Sequence, residues 1–338
     1  MIRLCCWIML LCFPALLLAQ SRGIAVEPNI SKPTPFVKGI YRALVIGNNQ
    51  YRDPKSRWKN LTRAEGDARA VADLLRQQYG FSAVDLMLNA TRKDILHRFE
   101  QLGKQVAAND SVLVFYAGHG FLDPDTGRGY WVPVDAAGMD TTTFIRNSTV
   151  RDELSIIAQR VKHTLLISDS CFSGSLLGSG LRGVVPNQGQ EHYYRKVAEK
   201  KSVQIIAAGG LEYVDDNYKN SGHSPFTYFF LNELKLNDKP LITASELSTS
   251  VKKAVANNVS QVPAAGVLQG VGDELGEFIF LNLNIEVSVE GVPQDKVKVR
   301  VHVNQAKNGS GEVKINSAVV KANPQPDLDY RYLPLPGF

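Results

Sequence analysis

Cys171 stands in Ile167–Ser–Asp–Ser–Cys–Phe–Ser–Gly174, directly after the apolar run His163–Thr–Leu–Leu–Ile167. An apolar run that gives way to Ser and Gly reads as a buried strand opening into a loop. His119 has a similar setting. Ser111–Val–Leu–Val–Phe–Tyr–Ala–Gly–His–Gly120 is a second strand-like run that empties into a turn, with its histidine 52 residues (171 − 119) before the cysteine. A thiol and an imidazole at two strand ends have the makings of nucleophilic hydrolysis. The thiolate attacks a carbonyl, and the imidazole, within hydrogen-bond reach, moves the proton.

The wider composition narrows the context. The chain has 338 residues and a formal charge of +5. That charge is too mild and too evenly spread to indicate nucleic acid as a partner. Arg3 precedes an uncharged apolar run from Leu4 to Ala19, and polar Gln20, Ser21 and Arg22 follow. This pattern predicts a secretory signal over residues 1–20 with a cut after Ala19, hence a periplasmic or extracellular protein. An uncleaved run would instead be a membrane anchor. No cysteine in the run follows a small residue, so the pattern of a lipoprotein does not fit. Of the four cysteines, Cys5, Cys6 and Cys12 lie within the signal. The mature chain would then keep Cys171 alone, with no intrachain disulfide and no stable membrane span. A lone thiol is either a buried, inert residue or one kept for reactivity. Gly and Ser around Cys171 favour the second.

Residues 21–40, with Pro28, Pro33 and Pro35, read as a linker. Strands and helices then alternate. Arg42–Ile46, Val84–Leu88, Val112–Tyr116, the run ending at Ile167, Val203–Ala207 and Glu277–Leu281 are strand-like. Helices are expected from Thr62 to Tyr79, after a Thr91 cap, over Arg151–Val161, over Pro225–Leu234, and from a Thr243–Ala–Ser–Glu246 capping box to Asn257. Tyr130–Asp135 suggests a small hairpin, and residues 178–200, Gly-rich and then basic, an exposed loop open to self-cleavage at Arg182, Arg195, Lys196, Lys200 or Lys201. Alternation of this kind predicts an α/β fold with a mostly parallel six-stranded sheet flanked by helices over residues 41–283. Active sites in such sheets form at the carboxyl ends of the strands, where His119 and Cys171 fall. From residue 284 to 338 the texture changes. Val297, Val299, Val301 and Val303 alternate with polar residues, Asn308–Gly309–Ser–Gly311 makes a turn, and Glu312–Ile315 alternates again. That predicts a small β-rich extension with a Pro-rich tail.

Five segments carry a resemblance: Arg42–Ala–Leu–Val–Ile–Gly–Asn–Asn–Gln–Tyr51, Asp67–Ala–Arg–Ala–Val–Ala–Asp–Leu–Leu75, Phe115–Tyr–Ala–Gly–His–Gly120, Asp169–Ser–Cys–Phe–Ser–Gly174 and Ala207–Ala–Gly–Gly–Leu–Glu212. Together they resemble the caspase-like cysteine peptidases, in particular metacaspases and bacterial caspase-family proteins. A histidine about 50 residues before the cysteine accords with that family. The resemblance implies a caspase-like sheet, Cys171 as nucleophile and His119 as general acid/base, with the backbone N–H groups of Gly120 and Cys171 as the oxyanion hole. Gly118 and Gly120 would let the backbone approach a substrate without a Cβ in the way.

Asp169 is informative in its own right. Positions 169 and 171 of an extended strand point the same way. A carboxylate close to a nucleophilic thiol discourages thiolate formation, so its presence suggests a separate task such as holding a cationic side chain. Metacaspases are similar: an acid two residues before the cysteine helps form a pocket for Arg or Lys. The departure from the QACRG pattern of caspases argues against cleavage after Asp. Glu212 and Asp215, after the fifth strand, either add acid to that pocket or form a solvated loop. The three serines at 168, 170 and 173 lack a G-x-S-x-G elbow. His163, His192 and His223 lack metal-ligand spacing, and there is no EF-hand loop, so no metal or other cofactor is indicated and calcium dependence has no motif behind it. The expectation is an exported cysteine endopeptidase acting on peptides or proteins after Arg or Lys. A non-catalytic caspase-fold interaction module is the alternative. The sequence leaves the oligomeric state open.

Overall fold

The computed structural model describes residues 39–52, 57–171, 173–177, 191–209, 216–268, 270–284 and the strands at 312–315 and 318–321. The signal, the linker up to residue 38, Arg182, Glu212, Asp215 and the alternating valines at 297–303 lie outside the described residues.

The elements follow in chain order: β1 (Tyr41–Gly47), α1 (Ala64–Gln78), β2 (Phe81–Leu88), α2 (Arg92–Gln105), β3 (Ser111–Ala117), β4 (Gly120–Leu122), β5 (Gly129–Trp131), β6 (Ile145–Arg146), α3 (Asn147–Arg160), β7 (His163–Asp169), α4 (Glu191–Ala198), β8 (Ser202–Ala207), α5 (Pro225–Lys235), β9 (Leu241–Thr243), α6 (Ala244–Ala256), β10 (Ala264–Val267), β11 (Ile279–Leu281), β12 (Glu312–Ile315) and β13 (Ala318–Lys321). Six strands form the main sheet in the order β10-β8-β7-β3-β1-β2. All its pairings are parallel except β10 on β8.

Alternate residues of each strand serve opposite faces. Ala43 and Val45 of β1, Leu113 and Phe115 of β3, and Leu165 and Ile167 of β7 pack with α1, α5 and α6. Leu44 and Ile46, Val112 and Val114, and Leu166 pack on the other face with α2 and α3. Helices cover both faces, which is why β3 is buried throughout and apolar from Val112 on rather than alternating. Thr91 and Thr243 both close capping boxes, with Asp94 and Glu246 as their reciprocal partners.

Some details differ from expectation. The sixth strand of the main sheet is β10, whereas β11, in the run read as that strand, pairs with β9 in a separate two-stranded sheet. Part of the expected loop at 178–200 is α4, whose Tyr194, Val197 and Ala198 pack on Leu241, Ile279 and Leu281. Glu312–Ile315, expected to follow a turn at Asn308–Gly311, pairs antiparallel with β13 on its C-terminal side. Tyr130 and Trp131 lie in a three-stranded sheet, β4-β5-β6, beside the main one.

Candidate active site

The register of two neighbouring strands brings the site together. β3 and β7 run parallel with Ala117 opposite Asp169, so the residues that leave them emerge side by side. The Gly118 N–H donates across the gap to the Asp169 carbonyl at 3.4 Å. A Cβ on Gly120 would lie 2.1 Å from the Cys171 carbonyl oxygen, so the two backbones touch where only glycine fits. His119, Gly120 and Cys171 share a cavity of about 280 Å³ with Asp67, Asp169, Asp216 and Ser224. Trp58 and Leu61 form part of its apolar wall.

His119 is held from several sides. Its backbone N–H donates to the Tyr51 hydroxyl at 2.8 Å, and its carbonyl accepts from the Tyr116 hydroxyl at 3.0 Å. The ring lies 4.7 Å from that of Tyr51 and 5.4 Å from that of Trp58. Nε2 is 2.8 Å from the Lys59 carbonyl. A carbonyl can only accept, so Nε2 carries the proton in the neutral ring and Nδ1 keeps the lone pair. Burial lowers the pKa of His119, partly offset by the Lys59 carbonyl and the charge of Asp216. The imidazole is therefore a neutral base near pH 7. Cys171 is half-buried and is not in a disulfide.

The far wall of the cavity is acidic. Asp169 is 5 % exposed. Its Oδ2 accepts from the hydroxyls of Ser224 at 2.5 Å and Thr227 at 2.6 Å, while Oδ1 is buried with no hydrogen-bond partner among the described residues. Burial, reinforced by the charge of Asp67, pushes its carboxyl up to about 7; the two hydroxyls act in the opposite direction. Asp67, in the first turn of α1, is 1 % exposed. It accepts from His223 Nδ1 at 2.5 Å and from the Ser224 N–H at 3.2 Å. Burial raises its pKa too, against the stabilising bonds of His223 and Ser224. Asp216 accepts from the Thr62 N–H at 2.6 Å, the Thr62 hydroxyl at 2.8 Å and the Arg63 N–H at 3.3 Å. It thereby caps α1, whose N-cap residue Arg63 makes no side-chain cap.

Of the residues singled out from sequence, the structure gathers His119, Gly120, Cys171 and Asp169. Sequence reasoning missed Asp67, Asp216, His223 and Ser224. One signal was available for Asp67: it falls on the same helical stripe as Ala64, Ala68 and Val71, where a charge needs a reason. A second, larger cavity of about 580 Å³ lies among β10, α4, α6 and Glu277. It holds neither His119 nor Cys171, and its Glu277 carboxylate accepts from Gln204 and Ser245. The smaller cavity is therefore the one that holds a thiol and an imidazole. Among the described residues, no group of three or more His, Cys, Asp or Glu could hold a metal ion, and no helix is long and apolar enough to cross a membrane.

The family model of the caspase domain matches residues 40–267, and the chain belongs to that family. Two solved structures are similar in fold. One is the protein GSU0716 from Geobacter sulfurreducens, with 18% identity over 70% of this chain and 99% of its own, at a TM-score of 0.47. The other is caspase-1 from Spodoptera frugiperda, with 16% identity over 69% of this chain and 88% of its own, at a TM-score of 0.48. No curated protein sequence matches the chain. A mostly parallel six-stranded sheet flanked by helices is the caspase fold, and membership of this family is consistent with a cysteine peptidase acting on proteins.

Proposed function

We propose that this protein is an exported cysteine endopeptidase that cleaves after Arg or Lys by means of a His119–Cys171 dyad. The observation that carries the reading is the shared cavity, in which Cys171 and His119 at the ends of adjacent strands face a wall of Asp67 and Asp169. The chemistry follows from the hydrogen bonds. With Nε2–H bound to the Lys59 carbonyl, His119 Nδ1 takes the thiol proton. The Cys171 thiolate attacks the substrate carbonyl, and the oxyanion is received by the N–H groups of Gly120 and Cys171. The protonated imidazole gives its proton to the leaving amine, and a thioester remains. Water, deprotonated by the same imidazole, then releases the acid and restores the thiol.

Selectivity in this reading comes from Asp169. Its buried, unpartnered Oδ1 takes an N–H of the cationic side chain, and the Asp67 and Asp216 charges assist. Glu212 and Asp215, just before Asp216, belong to the same proposal as added acid near the pocket. Export rests on the apolar run Leu4–Ala19, and N-terminal sequencing of the secreted protein would check the cut after Ala19.

The test is hydrolysis of matched peptides by the purified mature chain, with and without calcium. Cys171→Ala and His119→Ala should each abolish cleavage while the fold persists, and the double variant should be no worse, because the two groups act as a unit. Substantial activity in folded Cys171→Ala would remove the nucleophile assignment. A non-catalytic interaction module would leave Cys171 unlabelled by a thiol-directed peptidyl probe that modifies a working peptidase.

A further inference from the structure

The polar atoms behind Asp169 have a fixed direction. The Ser224 hydroxyl spends its one proton on Asp169 Oδ2, and its oxygen accepts the Thr227 N–H at 3.0 Å, as the N-cap of α5. The Thr227 hydroxyl spends its proton on the same Oδ2. Both residues are buried, Thr227 at 0 % exposure. The Ser224 N–H meanwhile serves Asp67 Oδ2, and His223 serves Asp67 Oδ1. Every carboxylate oxygen of Asp67 and Asp169 therefore has a donor except Asp169 Oδ1. A carboxylate kept only for structure would have both oxygens satisfied, because an unpaired buried acceptor is costly. Here one oxygen is pinned by two donors, and the other has none among the described residues.

We propose that Ser224 and Thr227 are positioning residues for substrate selection, holding Asp169 by Oδ2 so that Oδ1 meets the cationic side chain of the substrate. This rests on the basic-pocket reading above. Two donors on one oxygen stop the carboxylate from rotating, and they favour its charged form. A single preset acceptor suits an ammonium as well as a guanidinium. The second acceptor that a guanidinium fork seeks lies on a different residue, Asp216 being on the same cavity wall. The charged and titratable groups around Asp169 are Asp67 on α1, His223 and Asp216 before α5, His119 after β3, Cys171 after β7, and Arg57 at the cavity edge.

The test uses the full mature chain with Thr227→Val, which keeps the shape and removes the hydroxyl, and Thr227→Ser, which keeps the hydroxyl. kcat/KM is measured across pH for peptides that differ only in Arg or Gln before the scissile bond. In Thr227→Val the Arg-over-Gln preference should fall about tenfold or more, the usual scale for a lost hydrogen bond to a charged group. The acid limb of the Arg profile should move to higher pH, since Asp169 has lost a donor that favours its ionised form. Thr227→Ser should restore both. Ser224→Ala gives a second variant should Thr227→Val fail to fold, with the same expected losses. Wild-type protein that prefers Arg, with folded variants keeping that preference and the same limb, overturns this inference alone. Wild-type protein that cuts the Gln peptide equally well overturns the pocket reading and this inference with it.

Discussion

Replacing Asp169 by Asn preserves shape and removes the charge that a cationic substrate would meet. The hydroxyls of Ser224 and Thr227 both need an acceptor, so the Asn carbonyl takes the place of Oδ2 and its NH₂ faces the cavity. The ligand's N–H then meets a donor instead of an acceptor. Asp67 is a poorer replacement, because His223 and the Ser224 N–H each already occupy one acceptor site on its oxygens. Loss of one charged partner in a desolvated pair typically costs about 2–5 kcal/mol, on the order of 30- to several-thousand-fold in kcat/KM for an Arg peptide.

That loss should depend on pH in a calculable way. Asp169 in the unliganded protein has its carboxyl raised to about 7. Well above that value the wild-type pocket is fully charged, and the mutational loss is at its maximum. Each pH unit below it costs the wild type about 1.4 kcal/mol to ionise Asp169, while the Asn variant has nothing to ionise. The wild-type-to-variant ratio of kcat/KM should therefore shrink about fivefold between pH ~7 and pH ~6, about tenfold between pH ~8 and pH ~6, and level off above pH ~8. The Gln peptide, which offers the pocket no cation, serves as the reference for any change in the rest of the site. The assay is kcat/KM for matched Arg and Gln peptides across that range. A ratio that stays flat with pH would show that Asp169 does not titrate as the pocket charge. Equal losses for Arg and Gln peptides would show that it supports the Cys171 loop and does not contact substrate.

Three further outcomes are expected. Gly120→Ala places a Cβ 2.1 Å from the Cys171 carbonyl and must displace the Cys171 loop, so kcat/KM should fall about a hundredfold or more with the fold intact; near-normal activity would contradict the contact. His163 is buried between Ser202 Oγ on Nδ1 and the Ala198 carbonyl on Nε2, and burial pulls its pKa down to about 4. The unfolded chain takes up a proton near pH 6.5 and the folded one does not, so this contribution to stability is full above ~6.5 and is lost as pH falls towards 4, about 3 kcal/mol in all. Urea unfolding of wild type beside His163→Gln should show the stability difference shrinking by about 2 kcal/mol between pH ~7 and pH ~5, and a constant difference would refute it. Self-cleavage should occur at Arg182 in preference to Arg195 or Lys196, which lie on α4 and would have to unwind to enter a peptidase cleft; mass spectrometry beside Cys171→Ala decides it, with fragments ending at Arg195 counting against the argument.

What could be read from the chain and what could not separate along a physical line. His119 and Cys171 were legible because each ends a strand buried on both faces, and such strands are continuous apolar runs whose carboxyl ends converge. Asp169 was legible for a local reason as well, the period of two that places it on the side of Cys171. The strand β10 was not. Ala264–Ala–Gly–Val267 has almost no strand propensity, and it pairs because the edge of β8 is open to it. The apolar run at Ile279–Leu281 misled for the converse reason, since β9 offered it another partner. The same line runs through the site. Ser224 is the N-cap of α5, a role local to its own helix. Its second role, donating to Asp169 across 55 positions of chain, exists only because α5 packs on the same face of the sheet as α1. Likewise, His223 has no spacing that links it to Asp67, 156 residues earlier. Residues that act through their own strand or helix announce themselves by periodicity. Those that complete a pocket from a neighbouring helix do so through packing, and the local pattern carries no trace of the distant partner.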